Sequence, residues 1–326
     1  MIKKSAGERN HSDYLPIFRS KELNPQEMAE LNKKGKKKNN KAKRGNMSMK
    51  AIKKTIIFLS LLMCFGFLRT NNVNAATGMV KLKPDKTYKD YDVTGNGKKD
   101  KIRIQREKKL DYCYMALSIT VNGKKQQLSP SKYMNHYYGV DARLFTLKNG
   151  KKYLFLYADG ENGDSFVCGF YQYTSGQWKK VADLATVFKG YGSHLCAKAV
   201  SVKGNRIKVQ FYVMSWATGP STIEFTYVSK GGKLKRESSY GTYKSIYSYG
   251  KNTRTFYAAK KLPVFQNSNG TKQVFTVKKG GKVKILKCRL TGGKMYIQIK
   301  YGNRKGWIKA STNYNSRLFT NVTYAG

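Results

Sequence analysis

From residue 100 to the end of the chain, short runs rich in Val, Ile, Tyr and Phe alternate with glycine-containing turns, and no window sustains a 3.6-residue apolar period. These runs read as strands, and the turns between them carry hairpin chemistry. Asn122-Gly123 lies between MALSITV and KKQQL, Asn149-Gly150 precedes KKYLFLY, and Ser175-Gly176 separates FVCGFYQY from WKKVADL. Lys203-Gly204-Asn205 and Gly231-Gly232 continue the series. Such dipeptides supply the positive φ that tight turns need. The pattern predicts an all-β protein, with residues 77–240 forming a β-sandwich or partial propeller-like domain.

Two stretches break the alternation. SSYGTYKSIYSYGKNTR, Ser238 to Arg254, is rich in Ser, Gly and Tyr, so residues 241–254 read as a linker to a smaller β module at 255–312, followed by a tail at 313–326. At the other end, residues 1–46 include KKGKKKNNKAKRGN, a charged low-complexity run read as a disordered leader. Within residues 47–76, Lys50, Lys53 and Lys54 precede an uninterrupted apolar or small run from Thr55 to Leu68, and Val73-Asn74-Ala75 offers a small-x-small cleavage pattern. The run is too short to span a bilayer, so this segment reads as a signal peptide and the protein as secreted, without a membrane span.

Export changes the meaning of the charge. The 326-residue chain carries a formal +46, and from Ser238 to Gly326 there are eighteen Lys and Arg without one Asp or Glu. A field of that sign acts on polyanions and weakens with salt. Outside the cell the expected partner is anionic wall polymer rather than a specific nucleic acid. The cysteines that follow the leader, Cys113, Cys168, Cys196 and Cys288, lack CxxC spacing, and at most one bridge, Cys168 with Cys196, is expected.

Catalytic constellations are sparse. His136 stands alone in KYMNHYYG, and His194-Leu-Cys196 places thiol and imidazole at i and i+2 without a third orienting group. GxSxG, HExxH and Walker patterns are absent. The acidic loop Asp159-Gly-Glu161-Asn-Gly-Asp164 reads as a solvated turn more readily than as a carboxylate pair for glycoside chemistry. The expectation is therefore a non-catalytic protein.

One loop has cation-binding spacing. Asp92, Thr94 and Asn96 supply side-chain oxygens at positions 1, 3 and 5, Lys98 its carbonyl at 7 and Asp100 a carboxylate at 9, with Gly97 at the sharp-turn position. Position 12 is Arg103 rather than a bidentate Glu, and basic residues crowd the loop, so binding of Ca²⁺ is expected to be weak. The alternative is an Asn-Gly turn whose aspartates cap their own backbone. The stretch from Asp92 to Ile104 resembles the DxDGDGxxD loops of FG-GAP and VCBS-type repeats, which lead straight into a strand. That resemblance implies an extracellular β domain with Ca²⁺-braced loops.

The C-terminal region carries the stronger resemblance. YAAKKLPVFQNSNGTKQVFTVKKGGKVKILK followed by KMYIQIKYGNRKGWIKAS is similar to bacterial SH3-like domains: an LPVF opening strand, a KKG-type turn and a closing hairpin with Gly306-Trp307-Ile308. The resemblance implies a small bent barrel that binds wall peptide or polymer, often beside a catalytic domain. Gly306 suits a close backbone approach at a barrel corner, with Trp307 core first and ligand platform second. Tyr257, Tyr296 and Tyr301 are expected to line a groove with Lys278, Lys279, Lys305 and Lys309 around it, aromatic faces for sugar rings and ammoniums for phosphates. The reading that follows is attachment to peptidoglycan or a teichoic-type polyanion. A wall hydrolase or accessory domain addressed by the same module is the alternative.

Overall fold

The computed structural model describes residues 77–130, 134–161 and 164–324, with backbone alone for residues 193–195. The expected leader and signal peptide lie outside them. The protein is all-β, as the strand pattern predicts, and its strands form three antiparallel sheets.

A four-stranded sheet joins β2 (Thr87–Tyr91), β3 (Asp100–Leu110), β4 (Cys113–Val121) and β5 (Lys124–Leu128) in that order. A five-stranded sheet has the order β1-β6-β7-β8-β9, from Gly78–Leu82, Gly139–Thr146, Lys152–Asp159, Ser165–Thr174 and Gln177–Asp183. Burial explains the sequence of this second sheet. Leu154, Leu156 and Ala158 pack against Ile102, Ile104 and Ile119 of the four-stranded sheet. Tyr153, Phe155 and Phe170, on the opposite face, pack against Val209, Phe211 and Phe225 of the third sheet. A sheet covered on both faces needs continuous apolar strands, which is what YLFLYA and FVCGFY provide. The layers are stacked as in a sandwich, with a third sheet added.

That third sheet has twelve strands and runs through the region expected to be a linker. Its backbone order is β10-β11-β12-β14-β19-β20-β21-β17-β18. The first three are Gly192–Lys203, Arg206–Ser215 and Gly219–Lys230, and β13 (Lys233–Arg236) pairs with β12. Residues 241–254 are not a linker: β14 spans Tyr240–Ser248 and β15 Lys251–Asn252. Strand β14 pairs with β12 on one side and with β19 (Lys282–Thr291) on the other. The alternation was hidden because its inward positions are Gly241, Tyr243, Ile246 and Ser248, which are small or carry hydroxyls except for one.

The remaining strands are β16 (Thr255–Tyr257), β17 (Leu262–Phe265), β18 (Gln273–Val277), β20 (Lys294–Tyr301) and β21 (Arg304–Lys309). Residues 313–324 are packed rather than trailing. Phe319 bridges to Ala258 and lies 5.3 Å from the Phe256 ring, and the Tyr324 hydroxyl donates to the Trp216 carbonyl at 2.7 Å. One apolar core runs from Phe145 to Val322, so the two sequence regions share an interior.

Candidate functional site

Strands β14, β19, β20 and β21 lie side by side, and their register sorts the outward side chains into rows. Inward positions are apolar and buried, among them Ile297, Ile299, Met295 and Ile308. Outward, Tyr240, Arg289, Tyr296 and Lys309 stand opposite one another across the four strands. Thr242, Lys287, Gln298 and Trp307 form the next row. Lys284, Lys300 and Lys305 form a third across β19, β20 and β21. Like charges directly opposite on adjacent strands are destabilising, by the same reasoning that makes opposite pairs favourable. Here three lysines are stacked in register in a region without a carboxylate.

The aromatic residues on this face are held by the cations. Lys287 Nζ lies 4.7 Å from the Tyr240 ring centre and 5.9 Å from that of Trp307, and the Arg289 guanidinium lies 5.4 Å from Tyr240. Arg289 also donates from Nε to Ser239 Oγ at 3.0 Å. The Tyr240 ring is 44% exposed, whereas Trp307 is only 7% exposed, with its ring 5.8 Å from Tyr240. Trp307 is thus mainly a packing residue, and Tyr240 is the ring that solvent reaches.

Gly306 lies where β21 comes close to β17. A methyl group there would lie 2.5 Å from Val264 Cγ1 and 2.8 Å from the Phe265 carbonyl oxygen. Only hydrogen fits that approach of β21 to β17.

The eight sequence-selected residues fall into two groups. Tyr296, Lys305, Trp307 and Lys309 share the face just described. Tyr257, Lys278, Lys279 and Tyr301 gather instead around the turn at Gly280 and Gly281, whose backbone exchanges hydrogen bonds with Ala258 at 2.8 and 3.0 Å. Tyr301 lies against Gly281 and stacks on Phe275 with centroids 6.3 Å apart, and Arg304 sits 4.5 Å from the Phe275 ring. Tyr240, Lys287 and Arg289 escaped the sequence reading. In sequence Tyr240 stands beside the Ser- and Gly-rich stretch, and only the register with Arg289 reveals its position.

In the Asp92–Asp100 loop, hydrogen-bond donors converge on the carboxylates. Asp92 Oδ1 accepts from Gly95 N at 2.7 Å and Asn96 N at 3.2 Å, and Oδ2 from Gly97 N at 2.9 Å. Asp100 Oδ2 accepts from Val93 N at 2.7 Å and Thr94 N at 2.9 Å, while Oδ1 accepts from Asn122 Nδ2 at 2.6 Å and Thr94 Oγ1 at 3.2 Å. Asn96 Oδ1 accepts from Lys98 N at 2.8 Å. This is the arrangement of aspartates capping their own backbone, and a Ca²⁺ ion would share the carboxylates with those donors. Burial alone would raise the Asp100 pKa, but the Thr94 N–H, the Asn122 amide and the Val93 N–H outweigh it and hold the carboxyl below its ordinary value. Among the described residues, no three His, Cys, Asp or Glu side chains converge as metal ligands.

The four described cysteines are free thiols, Cys168 and Cys196 included. Burial pushes Cys288 up to about 12, and burial with the neighbouring Cys196 raises Cys168, so both are protonated at neutral pH. His136 lies edge-on to Tyr138, with ring centroids 5.6 Å apart. The His194 side chain, and residues 162–163 of the acidic loop, lie outside what the structure describes.

Compared with known proteins, the chain matches no family model, and no curated protein or solved structure matches it.

Proposed function

We propose that this is a secreted, non-catalytic protein that attaches to peptidoglycan or a teichoic-type anionic wall polymer through its basic C-terminal module, which we read as SH3-like. The observation that carries the reading is the lysine row Lys284, Lys300 and Lys305, flanked by Lys287, Arg289 and Lys309 on one sheet face, in a region without any carboxylate. Cations arranged in register repel one another, and repeating anions along a polymer relieve that repulsion at several points together. The exposed Tyr240 ring and the half-buried Tyr296 beside those cations supply apolar faces of the kind that sugar rings stack on. Secretion rests on the Thr55 to Leu68 run and the Val73-Asn74-Ala75 pattern.

The test is to incubate the purified protein with insoluble cell walls and to measure both sedimentation and release of soluble fragments. Salt-sensitive sedimentation without release is the expected result. Release of muropeptides or glycan fragments would establish the hydrolase reading instead, and failure to sediment at low salt would remove wall attachment.

A further inference from the structure

A second feature of the molecule borders that face, at Ser239, whose hydroxyl accepts from Arg289. Two clefts of about 560 and 520 Å³ adjoin one another at the seam between the segment that follows β9 and the tip of the β19–β20 hairpin, and Val187, Arg236, Leu290 and Thr291 line both. Arg236 is therefore central to one continuous trough. Cavities of several hundred Å³ are the size that holds small organic ligands.

The state of Arg236 is unusual. Its guanidinium makes no hydrogen bond or ion pair among the described residues, and Nη1 is enclosed without an acceptor. The side chain is fixed by position rather than by charge: Arg236 pairs in register with Tyr227, and its guanidinium lies 5.1 Å from the Phe225 ring centre. An enclosed donor without an acceptor is unfavourable, so an acceptor placed at Nη1 would be stabilised there. The nearby carboxylates are committed elsewhere. Glu237 pairs with Arg206 at 2.6 Å, and Asp183, which lines the trough, accepts from Ala185 N at 3.1 Å and lies 3.9 Å from Lys180. Lys189, Lys235 and Lys294 also line the trough, and all three are exposed.

We propose that this trough is a binding site for a small organic oxyanion, with Arg236 as its anchor. A guanidinium fork matches the paired oxygens of a carboxylate or phosphate, and the three surrounding lysines raise the local concentration of anions. Val187, Leu290 and the buried Tyr227 add an apolar wall, so the ligand carries an apolar body behind its charged head. Arg236 is not one of the cations of the wall-binding face, so either reading can fail without the other.

The experiment titrates the purified full chain, by calorimetry and thermal shift, with inorganic phosphate, acetate, phenyl phosphate and phenylacetate. One of the two aromatic anions is expected to bind saturably at one site and more tightly than its bare head group. Whether phenyl phosphate or phenylacetate wins identifies the head group. Arg236→Gln is expected to weaken that binding at least tenfold while leaving the empty protein as stable or more so, and Arg236→Lys to weaken it less. Should Arg236→Gln fail to fold, the exposed pair Lys189→Ala with Lys294→Ala is expected to weaken binding several-fold. The absence of a saturable response to all four probes overturns the proposal. So does binding that fades with salt, has many sites and is unchanged in the Arg236 variants or the lysine pair.

Discussion

Lys287 holds its ammonium 4.7 Å from the centre of the Tyr240 ring, so a cation of the basic module is seated on a residue whose strand also belongs to the N-terminal half of the sheet. Strand β14 pairs with β12 through Ser221 to Glu224 and with β19 through Lys287 to Arg289. The consequence is mechanical: the module does not hang from a tether.

One cooperative unfolding transition is therefore expected for residues 77–324, because the core and the twelve-stranded sheet are continuous across residue 240. Gly241→Ala tests the junction. A methyl group there would meet Phe225 Cζ at 2.5 Å, Ile223 Cγ2 at 2.8 Å and Cys288 Sγ at 2.9 Å, so three buried groups from both halves would have to move. Overpacking of this kind costs about 1–3 kcal/mol. Calorimetry should show the whole transition shifting down as one peak; two separated peaks in the unaltered protein would contradict the continuous sheet.

Gly306→Ala should be equally costly for a different reason. The nearest atoms include the Phe265 carbonyl oxygen, which is backbone and cannot rotate away. A loss of roughly 1–3 kcal/mol is expected in urea denaturation, and an unchanged midpoint would show that β17 and β21 separate freely.

Asp100 should give the stability a specific acid dependence. Its folded pKa lies below the unfolded value of about 3.9, so the folded state favours the charged form. Its contribution is fully present above about pH 4 and is lost as pH falls through the depressed folded value. Asp100→Asn should cost about 1–3 kcal/mol at pH 7, since the Val93 and Thr94 N–H groups lose a charged acceptor, and the difference from wild type should shrink below pH 4. Urea unfolding at pH 7 and pH 3 measures it. With only two carboxylates in the loop, both sharing their oxygens with N–H donors, any Ca²⁺ binding is expected to be weak, with heat from CaCl₂ appearing only in the millimolar range. A sub-millimolar isotherm that disappears in the Asp92→Ala, Asp100→Ala double variant would establish the cation site instead.

Much of the fold was legible because strand and turn signals are local. Asn122-Gly123 and Ser175-Gly176 both have two successive positive φ values, as hairpin chemistry requires. The continuous apolar run in β7 marked a strand, although only the packing showed that it was covered on both sides. What escaped was pairing between distant segments. The composition of β14 resembles a linker because Gly241 must be small against Phe225 and Cys288, a constraint that exists only once three strands are assembled. The candidate face was half legible for the same reason. Trp307 and the lysines of the closing hairpin could be chosen from their neighbours in sequence, but Tyr240 lies 67 positions from Trp307 and meets it only through β19 and β20.

The division of the basic residues into two groups yields the most direct test of where a polyanion docks. Lys305→Glu with Lys309→Glu alters the face that carries Tyr240 and Tyr296, whereas Lys278→Glu with Lys279→Glu alters the turn beside Tyr257 and Tyr301. Both pairs are exposed, and each changes the net charge of the protein by the same amount, so folding and long-range attraction to the wall should change alike. Only close contact distinguishes them. The in-register face predicts that the Lys305 and Lys309 pair lowers wall sedimentation in about 0.15 M salt by roughly tenfold or more, and the Lys278 and Lys279 pair by much less. Tyr240→Ala, which removes an exposed ring without touching charge, should weaken binding by about two- to thirty-fold if a stacking contact of about 0.5–2 kcal/mol is lost. Equal losses from the two charge reversals, together with an unaffected Tyr240 variant, would mean that the polymer responds to net charge alone and that the sheet face is not its seat.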